Sequence, residues 1–279
     1  MQRVTSEQID RFRQTVYEHF QEHGRDLPWR TTSDPYAILV SEFMLQQTQV
    51  ERVLPKYEAF LEMFPDAGTL ARAPLRDVLA AWQGLGYNRR AMALQRTAQR
   101  VVDEFGGRVP ESYDALRTFP GIGPATAGEI TAFAFGKPAV FIETNIRRVF
   151  IHFFFHDRTA VSDSEILPLV EATLDREQPR AWYYALMDYG VLLKTLEQNP
   201  NRRSKHYSRQ ARFEGSDRQI RGLILKTLVE KTSLSIAALV KAVGKERERT
   251  EKQIDRLVEE GFLCRKGNVL SIVSRADEP

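Results

Sequence analysis

One cysteine, Cys264, in 279 residues leaves no internal disulfide to form and no multi-cysteine metal site to build. No apolar run approaches the roughly 20 residues needed to cross a bilayer, and the stretch from Met1 to Gln8 lacks the apolar centre of a secretion signal. The expectation is an intracellular, cytoplasmic protein without membrane contact. An excess of one charge is missing too. The 40 basic residues face 37 acidic ones, so the net charge of +3 and the pI near 8.9 permit a nucleic-acid partner without requiring one. Internal repeats are absent, and most of the chain carries no strand pattern. What is present is a hydrophobic fraction of 42%, enough to bury a core in one large or two modest domains.

Helical periodicity fills most of the sequence. Thr5 and Gln8 stand at capping-box spacing, Ile9, Phe12, Val16 and Phe20 recur at helical intervals, and Gly24 ends the run. Residues 27–35 read as loop, and Asp34-Pro35 opens a helix carrying Ile38, Val40, Glu42, Leu45 and Val50. Glu42 thus falls in mid-helix among apolar neighbours. A carboxylate there either makes a structural ion pair or is held partly desolvated for proton chemistry. Further helices are expected over residues 55–64, 75–83, 89–105, 113–118, 162–174 and 180–196.

The stretch from Leu116 to Ile130 reads as a hairpin between two helices. Pro120 stops the first, Gly121 and Gly123 admit backbone conformations closed to other residues, and the second starts near Pro124. The first amides of that second helix lack intrahelical partners and lie at a positive dipole end. The turn is therefore either plain packing or a seat for a phosphate. Downstream, the apolar run Val140-Phe141-Ile142 delivers Glu143 just ahead of an amphipathic helix containing Asn145.

A Gly-x-Gly hairpin followed by an acidic residue ahead of a helix resembles the helix-hairpin-helix DNA glycosylase superfamily. Leu27-Pro28-Trp29-Arg30, the run from Ser41 to Val50, and Gly84-Leu85-Gly86-Tyr87 narrow the resemblance to the MutY-like adenine glycosylases. Together these motifs cover residues 8–195. The resemblance implies an all-α, two-lobed glycosylase domain that extrudes a base from double-stranded DNA and cuts its N-glycosidic bond. Such a cut builds electron density on the departing base and positive charge on the sugar, so it needs one protonated carboxyl and one ionised carboxyl.

By resemblance, Glu42 matches the general acid, and Glu143 stands where the family has an aspartate that stabilises the sugar cation. Asn145 keeps the family's asparagine. Glutamate is longer by about 1.5 Å, and a displacement of that size can lower a rate by about 100-fold. Trp29, Arg30 and Asp188 match positions around the flipped base, although a tryptophan there also reads as core. Gln46, Gln47 and Tyr87 match positions that wedge into the gap or contact the estranged partner base; otherwise they are surface polar residues beside a turn. Gly121, Gly123 and Ala125 belong to the DNA-binding hairpin, which can also hold a monovalent cation. Bifunctional relatives such as endonuclease III have a lysine where Ala125 stands. Alanine offers no amine for a Schiff base, so the expected product is a base-free but unbroken strand.

Between Lys194 and Arg212, within the stretch 194–216, the cations Lys194, Arg202, Arg203, Lys205, Arg209 and Arg212 face a single acid, Glu197. Adenine glycosylases place iron-sulfur cysteines in this region; here there is none, and no cluster is expected. The run is either a solvated face or a basic connector that tracks phosphates. From Asp217, helices over residues 220–228, 236–243 and 250–260, then a hairpin from Phe262 to Val273, resemble a winged helix that docks DNA or protein. It is too short and too helical for the Nudix-like module of the family.

The expected division is a glycosylase domain (1–193), the connector (194–216) and a winged-helix-like domain (217–279). The expected function is monofunctional excision of a mispaired or damaged base, adenine first, by a monomer acting on nucleoid DNA in base excision repair. A thymine/uracil mismatch glycosylase and a non-catalytic, structure-specific DNA-binding protein are the alternatives.

Overall fold

The computed structural model describes residues 4–195, 198–208 and 212–274. The chain is helical apart from a small sheet near its C-terminus, and it divides into two compact units. One unit comprises residues 1–39, 111–118 and 122–209; the other comprises 40–110, 119–121 and 210–279. Arg209 and Glu197 of the expected connector lie outside the described residues.

The capping box at Thr5 and Gln8 forms as expected and starts α1 (Ser6–His23). Part of the expected loop is instead a helical turn, α2 (Pro28–Thr31), because Pro28 at its first position is already fixed at a helical φ. Helix α3 (Pro35–Leu45) ends earlier than its apolar pattern suggests, and α4 (Val50–Met63) begins a turn before Pro55 and tolerates that proline inside it. An unanticipated helix, α5 (Ala67–Arg72), follows Pro65-Asp66. Asp66 caps it by accepting from the Thr69 amide at 2.7 Å. Helices α6 (Leu75–Ala81), α7 (Arg89–Phe105), α8 (Tyr113–Arg117), α9 (Pro124–Phe135), α10 (Thr144–Phe154), α11 (Asp163–Thr173) and α12 (Pro179–Thr195) follow the sequence pattern closely.

In the first unit, α1, α10 and α12 enclose an aromatic core. The Phe12 ring meets Phe150, Phe153, Phe154 and Trp182 edge-on, while Phe141 stacks on Tyr183 at 4.1 Å. Gly128 of α9 lies against Phe141 so closely that a Cβ there would come within 2.5 Å of its ring.

The second unit has its own core around Phe60, whose ring meets Phe64 and Trp82. It also holds α13 (Asp217–Lys231), β1 (Ser233–Ser235), α14 (Ile236–Val243), α15 (Arg247–Glu259), β2 (Leu263–Lys266) and β3 (Val269–Ile272). The expected helices and hairpin are there, and β1 extends the hairpin to a sheet of order β1-β3-β2. Strand β1 is only Ser-Leu-Ser, too short for an alternating pattern to reveal it.

These C-terminal elements do not form a compact unit of their own. Arg76 of α6 donates to the Val229 carbonyl of α13 at 2.9 Å, and Glu260 takes the guanidinium groups of Arg89 on α7 and Arg221 on α13, both at 2.6 Å. Hydrogen bonds from Arg89, then from Arg221, hold the Glu260 carboxyl at a pKa of about 2.

A carboxyl lowered in this way stabilises the fold above its unfolded pKa of about 4.3. That stability is lost as the pH falls from there toward about 2. Glu260→Gln is therefore expected to lower the urea midpoint at pH 7 and to converge on the parent only as the pH falls below about 2. Parallel stability-versus-pH curves for the two proteins would refute the role of this ion pair.

Candidate active site and nucleic-acid interface

Glu42 lies in mid-α3 with 6% of its surface exposed. Two turns close by adopt unusual backbone. Gln47, just past the end of α3, has φ +55°, and Tyr87, in the turn between α6 and α7, has φ +48°. A left-handed conformation at a residue with a side chain is uncommon and persists only when its surroundings impose it.

Arg90 imposes it. Its guanidinium, at the buried start of α7, donates from Nη1 to the carbonyls of Phe43 (2.8 Å), Met44 (2.9 Å) and Gln46 (2.6 Å). From Nη2 it donates to Thr48 Oγ1 (2.9 Å) and to the carbonyls of Leu85 (3.3 Å) and Gly86 (3.0 Å). Had α3 continued, amides four residues on would have bonded those α3 carbonyls. With the guanidinium in their place the helix stops at Leu45, which is why the apolar pattern through Val50 overstates its length. Burial pushes the Arg90 pKa down to about 10, which keeps it charged at neutral pH. Sequence reading missed this residue. The available signal was a cation on the apolar face of α7, in line with Leu94, Thr97 and Val101.

Gln46 is joined to the hairpin, its Nε2 donating to the Gly121 carbonyl at 3.0 Å. The two hairpin glycines have different reasons to be glycine. Gly121 has φ +77°, and a Cβ there would lie 2.9 Å from both Ala93 and Phe43. Gly123 has φ −87° and open space where a Cβ would go, so the fold does not require it. Its bareness lets an external group approach the first amides of α9. Ala125 follows, partly buried, in the first turn.

Glu143 is the N-cap of α10. Its Oε1 accepts from the amides of Asn145 (2.6 Å) and Ile146 (2.7 Å), and Oε2 accepts from Asn145 Nδ2 (3.3 Å). The extra methylene of glutamate is thus folded back onto the helix. Burial raises the Glu143 pKa, against the opposing pull of the two amides, Arg148 and Arg147. Arg148, 4% exposed, donates to Asn145 Oδ1 at 2.7 Å and to the Gly190 carbonyl. Gly190 of α12 has no room for a side chain, because a Cβ would lie 2.5 Å from that of Asn145. Sequence reading missed both Arg148 and Gly190.

Arg30 and Asp188 come together, but chiefly with each other. Arg30 forms a two-pronged pair with Asp188, both bonds 2.8 Å, and Arg25 adds its amide and Nε. Burial alone would raise the Asp188 pKa; Arg30 and Arg25 outweigh it and hold the carboxyl below the usual range. The clamp ties α2 to α12, with Trp29 buried beside Arg30. The structure thus brings Trp29, Arg30 and Asp188 together, with Arg30 and Asp188 engaged by each other.

Within the connector, Arg203 donates to the carbonyls of Ile151, Phe155 and His156, capping the C-terminal end of α10. Arg202 and Lys205 are exposed. Asn199 and Asn201 tie the segment to Arg148 and to the Thr144 carbonyl. A cysteine-held cluster does not fit, because Cys264 lies on β2 and residues 194–216 contain no cysteine. Among the described residues no helix is long and apolar enough to cross a membrane.

Residues 40–169 match the family of HhH-GPD superfamily base excision DNA repair proteins. An adenine DNA glycosylase of Mycolicibacterium smegmatis is 34% identical over 265 residues, covering 88% of this chain and 89% of the relative. One from Buchnera aphidicola is 37% identical over 194 residues, and the match spans about half (54%) of that relative's length. The structure of a thermostable thymine-DNA glycosylase superposes with a TM-score of 0.62 at 25% identity, over 70% of this chain and 91% of that one.

Arg90→Met, which keeps bulk and removes the donors, is expected to lower the unfolding free energy by about 3 kcal/mol, because it strands several buried carbonyls. Arg90→Lys should recover only part, since an ammonium cannot span both turns. A urea midpoint unchanged in Arg90→Met would show that the two turns hold their shape without it.

Proposed function

Because this chain belongs to the helix-hairpin-helix (HhH-GPD) superfamily of base excision DNA repair proteins, we propose that it is a monofunctional DNA N-glycosylase excising adenine from mispaired or damaged sites in duplex DNA. It acts as a cytoplasmic monomer. The observation that carries this reading is the presence of two carboxyl groups, each in its own unlike setting: Glu42 sunk within a helix, and Glu143 fixed on the first amides of another.

Glu42 gives its proton to the departing base, which leaves as a neutral molecule. Glu143 faces the opposite demand as the sugar becomes oxocarbenium-like. Its ionisation is contested between burial and the adjoining amides and arginines. Positive charge arriving on the sugar favours the carboxylate, so the stabilisation is greatest in the transition state. Asn145 and Arg148 hold the carboxylate in place. The bare edge at Gly123 and the amides of α9 seat a backbone phosphate, while Gln46, Gln47 and Tyr87 fill the space the base leaves. Exposed Arg202 and Lys205 add sequence-independent phosphate contacts.

Adenine is favoured over thymine or uracil because the Mycolicibacterium relative matches 88% of this chain, whereas a thymine/uracil-DNA glycosylase of Pyrobaculum aerophilum, 36% identical, matches 50% of it. Duplexes carrying A·G, A·C, T·G and U·G, incubated with enzyme and then hot alkali, separate these readings: cleavage at A is expected, and cleavage only at T or U would replace adenine.

Glu42→Gln is expected to abolish base release and leave duplex affinity nearly intact; near-parental excision would unseat the proton donor. Glu143→Gln should be severely impaired. An aspartate at the same position that outpaces the parent would show the folded-back glutamate to be a hindrance. Strand scission should need added alkali, since Ala125 supplies no amine, and borohydride trapping of a covalent DNA adduct at appreciable yield would contradict that.

A further inference from the structure

Two asparagines of the connector grip α10 near its start. Asn201 donates from Nδ2 to the Thr144 carbonyl at 2.9 Å, and Asn199 accepts at Oδ1 from Arg148 Nε at 3.1 Å. The Asn199 acceptor is held by its own turn. The same oxygen takes the Asn201 amide at 3.1 Å, the Asn199 carbonyl takes the Arg202 amide at 3.0 Å, and Pro200 between them is buried with its φ fixed by the ring. Asn199 therefore offers Arg148 an oxygen with little freedom left to lose.

Arg148 carries the connection onward to the carboxylate. Its planar, buried guanidinium finds acceptors in three separate places: Asn199 in the connector, Asn145 Oδ1 at 2.7 Å in the first turn of α10, and the Gly190 carbonyl of α12. A cation on the oxygen side of the Asn145 amide leaves Nδ2 facing Glu143 Oε2, to which it donates at 3.3 Å. The flipped amide would set oxygen against oxygen. Arg148 thus decides which face of Asn145 the carboxylate meets, and Asn199 fixes Arg148 from the Nε side. Burial raises the Glu143 pKa while the amides and arginines oppose it, so the bond at Oε2 bears on both the direction and the charge of the carboxyl.

We propose that Asn199 is a positioning residue for excision, acting through Arg148 and Asn145 to keep the Glu143 carboxylate aimed at the sugar. The proposal rests on the glycosylase reading for its effect on rate. It makes the connector a support of the active site and not only a spacer.

The test reads the carboxyl and the rate separately, in the full chain. Glutamate isotope-labelled at Cδ reports each carboxyl by NMR, and the Glu143 signal is the one that Glu143→Gln removes. In Asn199→Ala that signal is expected to titrate at higher pH than in the parent, by roughly half a unit, because the ionised form loses a well-aimed donor. Single-turnover release of adenine from an A·G duplex at saturating enzyme should fall about tenfold. Its acid limb should move up with the carboxyl, while duplex affinity stays at the parental value. Asn199→Ser keeps a cap for the Asn201 amide but is too short to reach Arg148, so it decides the matter where the alanine variant melts early. Arg203→Met supplies the contrast: it frees the same connector from the other end of α10, and should lower the melting temperature without moving the Glu143 titration. A folded Asn199→Ser whose Glu143 titrates as in the parent overturns the proposal, as does a parental excision rate in that variant. A parent that releases no base, in a set where the titration moves as expected, sinks the glycosylase reading and leaves the coupling of Asn199 to Glu143 standing.

Discussion

A single buried guanidinium decides the shape of two turns of the second unit. Arg90 collects carbonyls from the end of α3 and from the turn before α7, and so fixes two segments that lie far apart in sequence. The positive φ of Gln47 and of Tyr87 is strain that this hub sustains. Arginine suits the task because its planar fork offers several donors at fixed angles and remains charged despite burial. With the hub in place, Gln46 can reach the Gly121 carbonyl, and the hairpin turn is joined to the same network.

In the first unit the corresponding organiser is the start of α10. Glu143 is bonded to its amides, Asn145 bridges Glu143 and Arg148, and the missing side chain of Gly190 lets α12 approach close enough for its carbonyl to hold Arg148. A carboxylate anchored by backbone amides needs no reorganisation when charge develops before it, which is the condition for electrostatic catalysis. The candidate groups stand at helix ends: Gly123 at the start of α9, Glu143 at the start of α10, and Gln46 and Gln47 just past the end of α3.

Side-chain and backbone hydrogen bonds tie the connector to the first unit. Asn199, Asn201 and Arg203 bond to α10 or to residues beside it, the Lys205 amide donates to the Val161 carbonyl, and the Val161 amide donates to the Arg203 carbonyl. Side chains read as phosphate contacts from their charge alone are partly structural, because a helix C-terminus competes for a cation as effectively as an anion does.

The order of helices, the capping box at Thr5, the hairpin at Gly121, and the candidates Glu42 and Glu143 were legible in the sequence, since periodicity, capping spacing and glycine placement are local properties of the chain. Local pattern could not reveal that α3 stops at Leu45, that Asp188 is bound by Arg25 and Arg30, that Arg203 caps α10, or that the C-terminal helices join the second unit. Each of those outcomes is settled by a charged side chain choosing a partner more than forty positions away, and charge has no period from which a partner can be read. The sequence by itself determined the helical fold and the chemistry available to it; tertiary structure alone decided which charges hold the protein together and which remain for the substrate, because only folding sets the distances at which an arginine and a carbonyl or carboxylate compete with water.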